Sequence, residues 1–276
     1  MAAKTWLYDA ILYIYALSLL FYFSDVAAAN RSAKRMGTGL LAFVWLLETV
    51  FIVYRFASGR HTPVLTLFET LFFYAWLLVT ISFTLNWFLR IDLIVFLVNV
   101  AGFAILALNF FSDPDAVPLS DQWEARDELL FIHVTLAIAS YAAFLIAAIF
   151  SGMYLFLHGQ LKGKQWSSLL VRFPSLENIE SYTFRAVLIG TPLFILSVAL
   201  GIVIMTLSGE DRFFTDPKVA STALMIAAYA FYIVQRLRAK HPGFRLAAWN
   251  LAAFATVVIN FLLSNWLSRF HQWIWM

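Results

Sequence analysis

Polar residues are so sparse along this chain that long apolar runs, not turn signals, define its elements. Eight stretches stand out, roughly 6–28, 38–58, 64–88, 91–111, 129–157, 182–208, 219–236 and 247–267. A bilayer core of about 30 Å is crossed by about 20 apolar residues in a helix. A helix also satisfies its own backbone polar groups, which no isolated strand can do in lipid. The pattern therefore predicts an all-α integral membrane protein, a bundle of eight transmembrane helices in one domain over 1–276. Pro192, with Gly190 and Gly201, permits a bend in the sixth helix.

The polar intervals add topology. The longest are 112–128, acidic and punctuated by Pro114 and Pro118, and 158–181, which carries Lys162, Lys164 and Arg172. Ser175 lies before the sixth helix without a capping box, since Asn178 stands where Glu or Gln would be needed. Eleven Lys and Arg fall in one set of loops, among them Arg31, Lys34, Arg35, Arg90, Arg236, Arg238, Lys240 and Arg245. Seven fall in the other set and the termini: Lys4, Arg55, Arg60, Arg126, Arg212, Lys218 and Arg269. The positive-inside rule predicts both termini outside, with 158–181 and 236–246 in the cytoplasm. The first apolar run, bracketed by Asp9 and Asp25, is too long for a signal-peptide core.

Composition agrees: 62% of residues are hydrophobic, 13% charged, and mean hydropathy is +0.81. The absence of cysteine excludes disulfides, thiolate metal sites and thioether attachment of a cofactor to this chain. The net charge of +3 lies in short loops, which points to topology and gives no case for a nucleic-acid partner. Many of the ten Trp flank the spans, as in an aromatic belt. There is no phosphate loop, zincin motif or nucleophile elbow, so the chain is expected to be non-enzymatic.

Few groups remain for chemistry. His61, His133 and His271 fall at the outer ends of predicted helices, and His158 and His241 at the cytoplasmic side. Neutral imidazoles on facing helices can hold a haem iron axially. Glu48 and Glu69 lie within predicted spans, where an ionisable group is costly and points to function or an interhelical contact. For Glu69 the expected contact is an asparagine, Asn99, Asn250 or Asn260. Asp9, Asp25 and Arg185 lie nearer helix ends, where side chains reach the interface.

Four stretches resemble the cytochrome c assembly (CcsA/CcmC-type) haem-handling family. His133-Val134, Ser140-Tyr-Ala-Ala-Phe144 and Gly152-Met-Tyr-Leu155 resemble its outer histidine-bearing helix. Thr215-Asp216-Pro217-Lys218 is similar to the end of its Trp-rich outer loop. His271 resembles its second outer histidine, and Pro63 with Leu67-Phe-Glu-Thr70 its Pro…Tyr-Glu-Ser segment. The departures are as informative. Segment 209–218 contains no Trp, Val234 stands where an inner histidine is expected, and His271 comes about four residues late relative to Asn260.

The resemblance implies haem as cofactor, ligated by His133 and His271 and contacted by Phe213, Phe214 and Asp216. The lost tryptophans and inner histidine are similar to a reduced, eight-helix bacterial member of the group that lowers the level of glutamyl-tRNA reductase. The expectation is a haem-sensing membrane regulator of early tetrapyrrole synthesis in the bacterial plasma membrane. Its partners would be the lipid bilayer and, through the cytoplasmic loops, glutamyl-tRNA reductase. The alternatives are a haem transport or ligation component of cytochrome c maturation, and a small-solute transporter using Glu48 and Glu69.

Overall fold

The computed structural model describes residues 2–57, 66–89, 91–112, 125–164, 170–207, 216–238 and 243–266. Among them are eight long helices and no strand: α1 (Ala2–Ala28), α2 (Arg31–Ala57), α3 (Leu67–Leu89), α4 (Asp92–Leu108), α5 (Ala125–Lys162), α6 (Leu176–Leu207), α7 (Pro217–Leu237) and α8 (Gly243–Trp266). All eight are long and apolar enough to span a bilayer. No more than 50% of any span's apolar window is buried inside the protein. The outward Leu, Ile, Val and Phe are a surface for lipid, and the chain is a multi-pass membrane protein.

Several helices run past the apolar stretches that announce them, because hydropathy reads membrane thickness whereas helices end at caps. α2 begins at Arg31, well before the apolar run at 38, because Asn30 Oδ1 accepts the backbone N–H groups of Ser32 (3.1 Å) and Ala33 (3.2 Å). α6 begins at Leu176, where the Asn178 N–H donates to Ser175 Oγ at 3.2 Å. Ser175 thus caps this helix without the reciprocal half of a box. α7 starts on Asp216, whose Oδ1 accepts the Lys218 N–H at 2.8 Å, with Pro217 in the first turn. α5 is the longest helix at 38 residues, and α6 continues through Pro192.

The helices gather into two compact units, α1–α4 and α5–α8. In the first, α2 and α3 are joined by a closed ring of bonds. Trp45 Nε1–H donates to Thr80 Oγ1 and Trp76 Nε1–H to Thr49 Oγ1, both at 2.9 Å. Each threonine hydroxyl in turn donates to the backbone carbonyl of the tryptophan one turn earlier in its own helix: Thr49 to Trp45 (2.7 Å) and Thr80 to Trp76 (2.9 Å). Phe51, Phe68, Phe72 and Tyr8 pack together, with the Phe51 and Phe72 ring centroids 4.7 Å apart. The Tyr8 hydroxyl donates to the Leu106 carbonyl.

The second unit has an apolar core of Phe144, Val187, Phe194, Met225, Tyr229 and Val257, with Phe144 stacked on Tyr229 at 3.8 Å. Gly190 makes room for this pair, since a Cβ there would stand 2.9 Å from Phe144. Without a hydrophobic drive between helices in lipid, close packing and interhelical hydrogen bonds hold such a unit together. Asn260 supplies several. It accepts from the Tyr141 hydroxyl (2.7 Å) and donates to Ser221 Oγ and Thr222 Oγ1 (2.9 Å each), tying α5, α7 and α8. Asn250 Nδ2 donates to Ser151 Oγ at 2.9 Å.

Candidate functional site

His133 lies in the first third of α5, where α6 passes alongside, and is part-buried. Its Nδ1 lies 2.7 Å from the Ser197 carbonyl oxygen. A carbonyl can only accept, so Nδ1 carries the proton and donates it. The Ser197 hydroxyl donates back to the His133 carbonyl at 2.9 Å and sits 3.2 Å from Nδ1. The two residues therefore lock each other, side chain to backbone, across α5 and α6. This leaves Nε2 with a lone pair and no hydrogen bond among the described residues, the arrangement found behind metal-bound imidazoles.

The ring rests over Gly201, one turn on from Ser197. A Cβ at position 201 would stand 2.9 Å from His133 Cε1 and 3.3 Å from Nδ1. Only glycine lets the imidazole lie this close to α6. At the same end of the unit, Asp216 is buried and occupied as the cap of α7, with Lys218 in the first turn of that helix. An oriented imidazole with a free Nε2, set over a glycine cradle, fits the ligand set of a haem iron. His271, Phe213 and Phe214, the other residues proposed from sequence, lie outside the described residues, as do His61 and His241.

The far end of the same unit is built differently. His158 lies between Tyr154 and Phe244, with ring centroids 6.1 and 5.5 Å away and nearly parallel planes. Arg236 pairs with Glu180 at 2.6 Å and lies over the Phe184 ring. Val234, in the position where the family resemblance expects a histidine, is 42% exposed on α7. Among the described residues no group of three or more His, Cys, Asp or Glu could hold a metal ion.

The carboxylates of the first unit separate into two kinds. Glu69 does not meet an asparagine, as its sequence position suggested, but Arg55 of α2, at 2.6 Å. Arg55 is further held over the Phe51 and Phe68 rings. The expected partners are engaged elsewhere: Asn99 accepts from Tyr15 and donates to Ser82, both at 2.8 Å. The signal was present in the sequence. Thr66-Leu-Phe-Glu69 has capping-box spacing, and Thr66 Oγ1 does accept the Glu69 N–H at 3.2 Å, but the Glu69 carboxylate turns to Arg55. Glu48 is fully buried, and neither of its oxygens has a hydrogen-bond partner among the described residues.

Ser197 was not singled out from sequence, Gly201 was read only as permitting a bend, and Lys218 only as a loop charge within the 215–218 stretch of the family resemblance. A serine or glycine in an apolar helix carries no mark of what its backbone carbonyl or missing side chain faces. No role for the Lys218 side chain follows from its motif until α7 is seen to turn it inward.

The sequence model of the family described as Cytochrome C assembly protein matches residues 64–271. Protein HemX of Brevibacillus brevis is 42% identical over 273 residues, covering 99% of this chain and all of that protein. Protein HemX of Bacillus subtilis (strain 168) is 39% identical over 264 residues, 95% of each chain. The cytochrome c biogenesis protein CcsA of Mesostigma viride is 24% identical, over 99% of this chain and 97% of that one. With its eight spans, its oriented His133 and near full-length likeness to the HemX proteins, the chain is a haem-related membrane protein and belongs to the cytochrome c assembly protein family.

Proposed function

We propose that this protein is a non-enzymatic haem sensor of the bacterial cytoplasmic membrane that lowers the level of glutamyl-tRNA reductase. The observation that carries the haem reading is His133, with Nδ1–H given to the Ser197 carbonyl, Nε2 free and the ring seated over Gly201. His133 would hold the iron from α5, and the family resemblance adds His271 as a second iron ligand and Phe213, Phe214 and Asp216 as further haem-binding residues. When bound, haem would supply an iron for the imidazole to ligate, and occupancy of the site would follow haem supply. The sensing step falls to α5 and α6, because the residue that binds is bonded to both. Ligand can move such a pair only if it binds one arrangement better than another. The basic segments 158–181 and 236–246, on the cytoplasmic side by the Lys and Arg bias, are the surfaces that would meet the reductase.

Regulation is favoured over haem delivery by one feature of the chain. Segment 209–218 lacks every tryptophan of the platform that a delivering relative would use, and position 234 lacks the inner histidine. A deletion strain should accumulate glutamyl-tRNA reductase and keep its c-type cytochromes. Loss of c-type cytochromes with unchanged reductase would overturn regulation in favour of delivery. Protein purified after growth with excess haem should show a His133-dependent haem spectrum, and a spectrum indifferent to His133→Ala would remove the sensor mechanism.

A further inference from the structure

α7 presents one buried stripe to its unit: Ser221, Met225, Tyr229 and Tyr232, spaced by four, four and three residues. Stepping back three residues along the same stripe reaches Lys218. Side chains three and four apart share a helix face, so this lysine starts from the inward face and not from the lipid or the loop. It is part-buried, and its own turn is rigid. Asp216 caps its N–H at 2.8 Å, Pro217 precedes it, and Ser221 Oγ donates to its carbonyl at 2.9 Å while accepting from Asn260. The backbone beneath the ammonium is thus tied to α8.

The ammonium itself has no hydrogen bond or ion pair among the described residues, and Asp216, two residues before it, has one oxygen committed to the helix cap. Ion pairs elsewhere in the protein are made at 2.6–2.7 Å by Lys34 with Asp92, Arg55 with Glu69 and Arg236 with Glu180. Lys218 is different. It is an inward lysine on a fixed turn at the His133 end of the unit: Asn260 bonds both Tyr141 of α5 and Ser221 of α7, and His133 and Lys218 lie about two turns and about one turn before those residues. A cation held at a membrane protein's interior edge without a bonded counter-ion is costly unless a ligand completes it.

We propose that Lys218 is the carboxylate anchor of the His133 site, binding a propionate of the haem whose iron His133 ligates. The assignment rests on the haem reading above and narrows it: the site selects metalloporphyrins with free acid side chains. His133 recognises the metal and Lys218 the acidic edge, so a porphyrin with its acids capped keeps one contact and loses the other. Charge-assisted hydrogen bonds in part-buried sites are the stronger kind, and one such bond corresponds to about tenfold in affinity.

The test is a spectroscopic titration of the full-length protein in detergent with haem and with haem dimethyl ester. Wild type should prefer the free acid by about tenfold. Lys218→Met should bind both probes alike and keep the axial-histidine spectrum, whereas Lys218→Arg should retain most of the preference. His133→Ala should lose that spectrum. Thermal unfolding of the three variants checks that the bundle is intact. A Lys218→Met protein that keeps the full wild-type preference overturns the anchor while leaving haem ligation by His133 standing. A preference that follows Lys218 but a spectrum that ignores His133 supports the anchor and removes the ligation. Wild type that binds neither probe overturns both.

Discussion

At the residue scale, two polar groups show how differently the same membrane treats them. His133 is pinned by a backbone carbonyl and sits against a glycine, so its neighbourhood has no room to spare. Gly201→Ala should therefore displace the ring, cost about 1–3 kcal/mol of stability, and weaken any haem spectrum more than His158→Ala does. Unfolding midpoints and haem titration of the two variants check this. Glu48 is the opposite case. A buried polar group without a partner is a cost, and replacing it by an apolar group of similar shape is neutral or favourable. Glu48→Met should leave the unfolding midpoint unchanged or raised. A marked fall would show that its carboxyl serves a partner among the undescribed residues or a ligand.

At the element scale, the helices are joined by caps and by single interhelical bonds. Only Ala29 and Asn30 separate α1 from α2, and Ala29 takes a left-handed φ of 51°. Its N–H closes the end of α1 on the Asp25 carbonyl at 2.8 Å, a connection that suits glycine better. The strain of about 1–2 kcal/mol is partly offset by glycine's greater freedom when unfolded, so Ala29→Gly should stabilise by up to about 1 kcal/mol. Thermal unfolding in detergent is the measurement. Arg55 and Glu69 tie α2 to α3 as a part-buried ion pair. Removing either partner strands the other, so Arg55→Leu and Glu69→Leu should each cost about 1–3 kcal/mol. The double variant should cost clearly less than their sum. Strictly additive losses would mean that the pair contributes nothing as a pair.

At the scale of the whole molecule, the charge bias and the even number of spans predict both termini outside and 158–181 in the cytoplasm. Reporter fusions at Gly163 and at the C-terminus should then report opposite compartments. Agreement between the two would break the orientation, and with it the outer placement of His133. The same arrangement separates the two ends of the second unit. One carries His133, Ser197 and Lys218, and the other the His158 stack and the Glu180–Arg236 pair. α5 and α6, the two longest helices described, run between these two ends.

The eight spans were legible from sequence because each is a local property. An apolar run of sufficient length must become a helix in lipid to satisfy its own backbone, whatever surrounds it. Family membership was legible for a related reason: the motifs around His133, Asp216 and Lys218 are short and contiguous. What tertiary structure alone decided was the partner of every polar group. Glu69 finds Arg55 fourteen positions away, and His133 finds a carbonyl 64 positions away. Glu48, chemically the twin of Glu69, finds no partner among the described residues. A carboxylate or an imidazole in an apolar helix states a need, and what answers it, a guanidinium on another helix for Glu69 and a backbone carbonyl for His133, leaves no trace in the local residue pattern. Only the packing of one helix face on another determines which need is met, because hydrogen bonds act over about 3 Å and helix registry at that precision is set by the side chains between them.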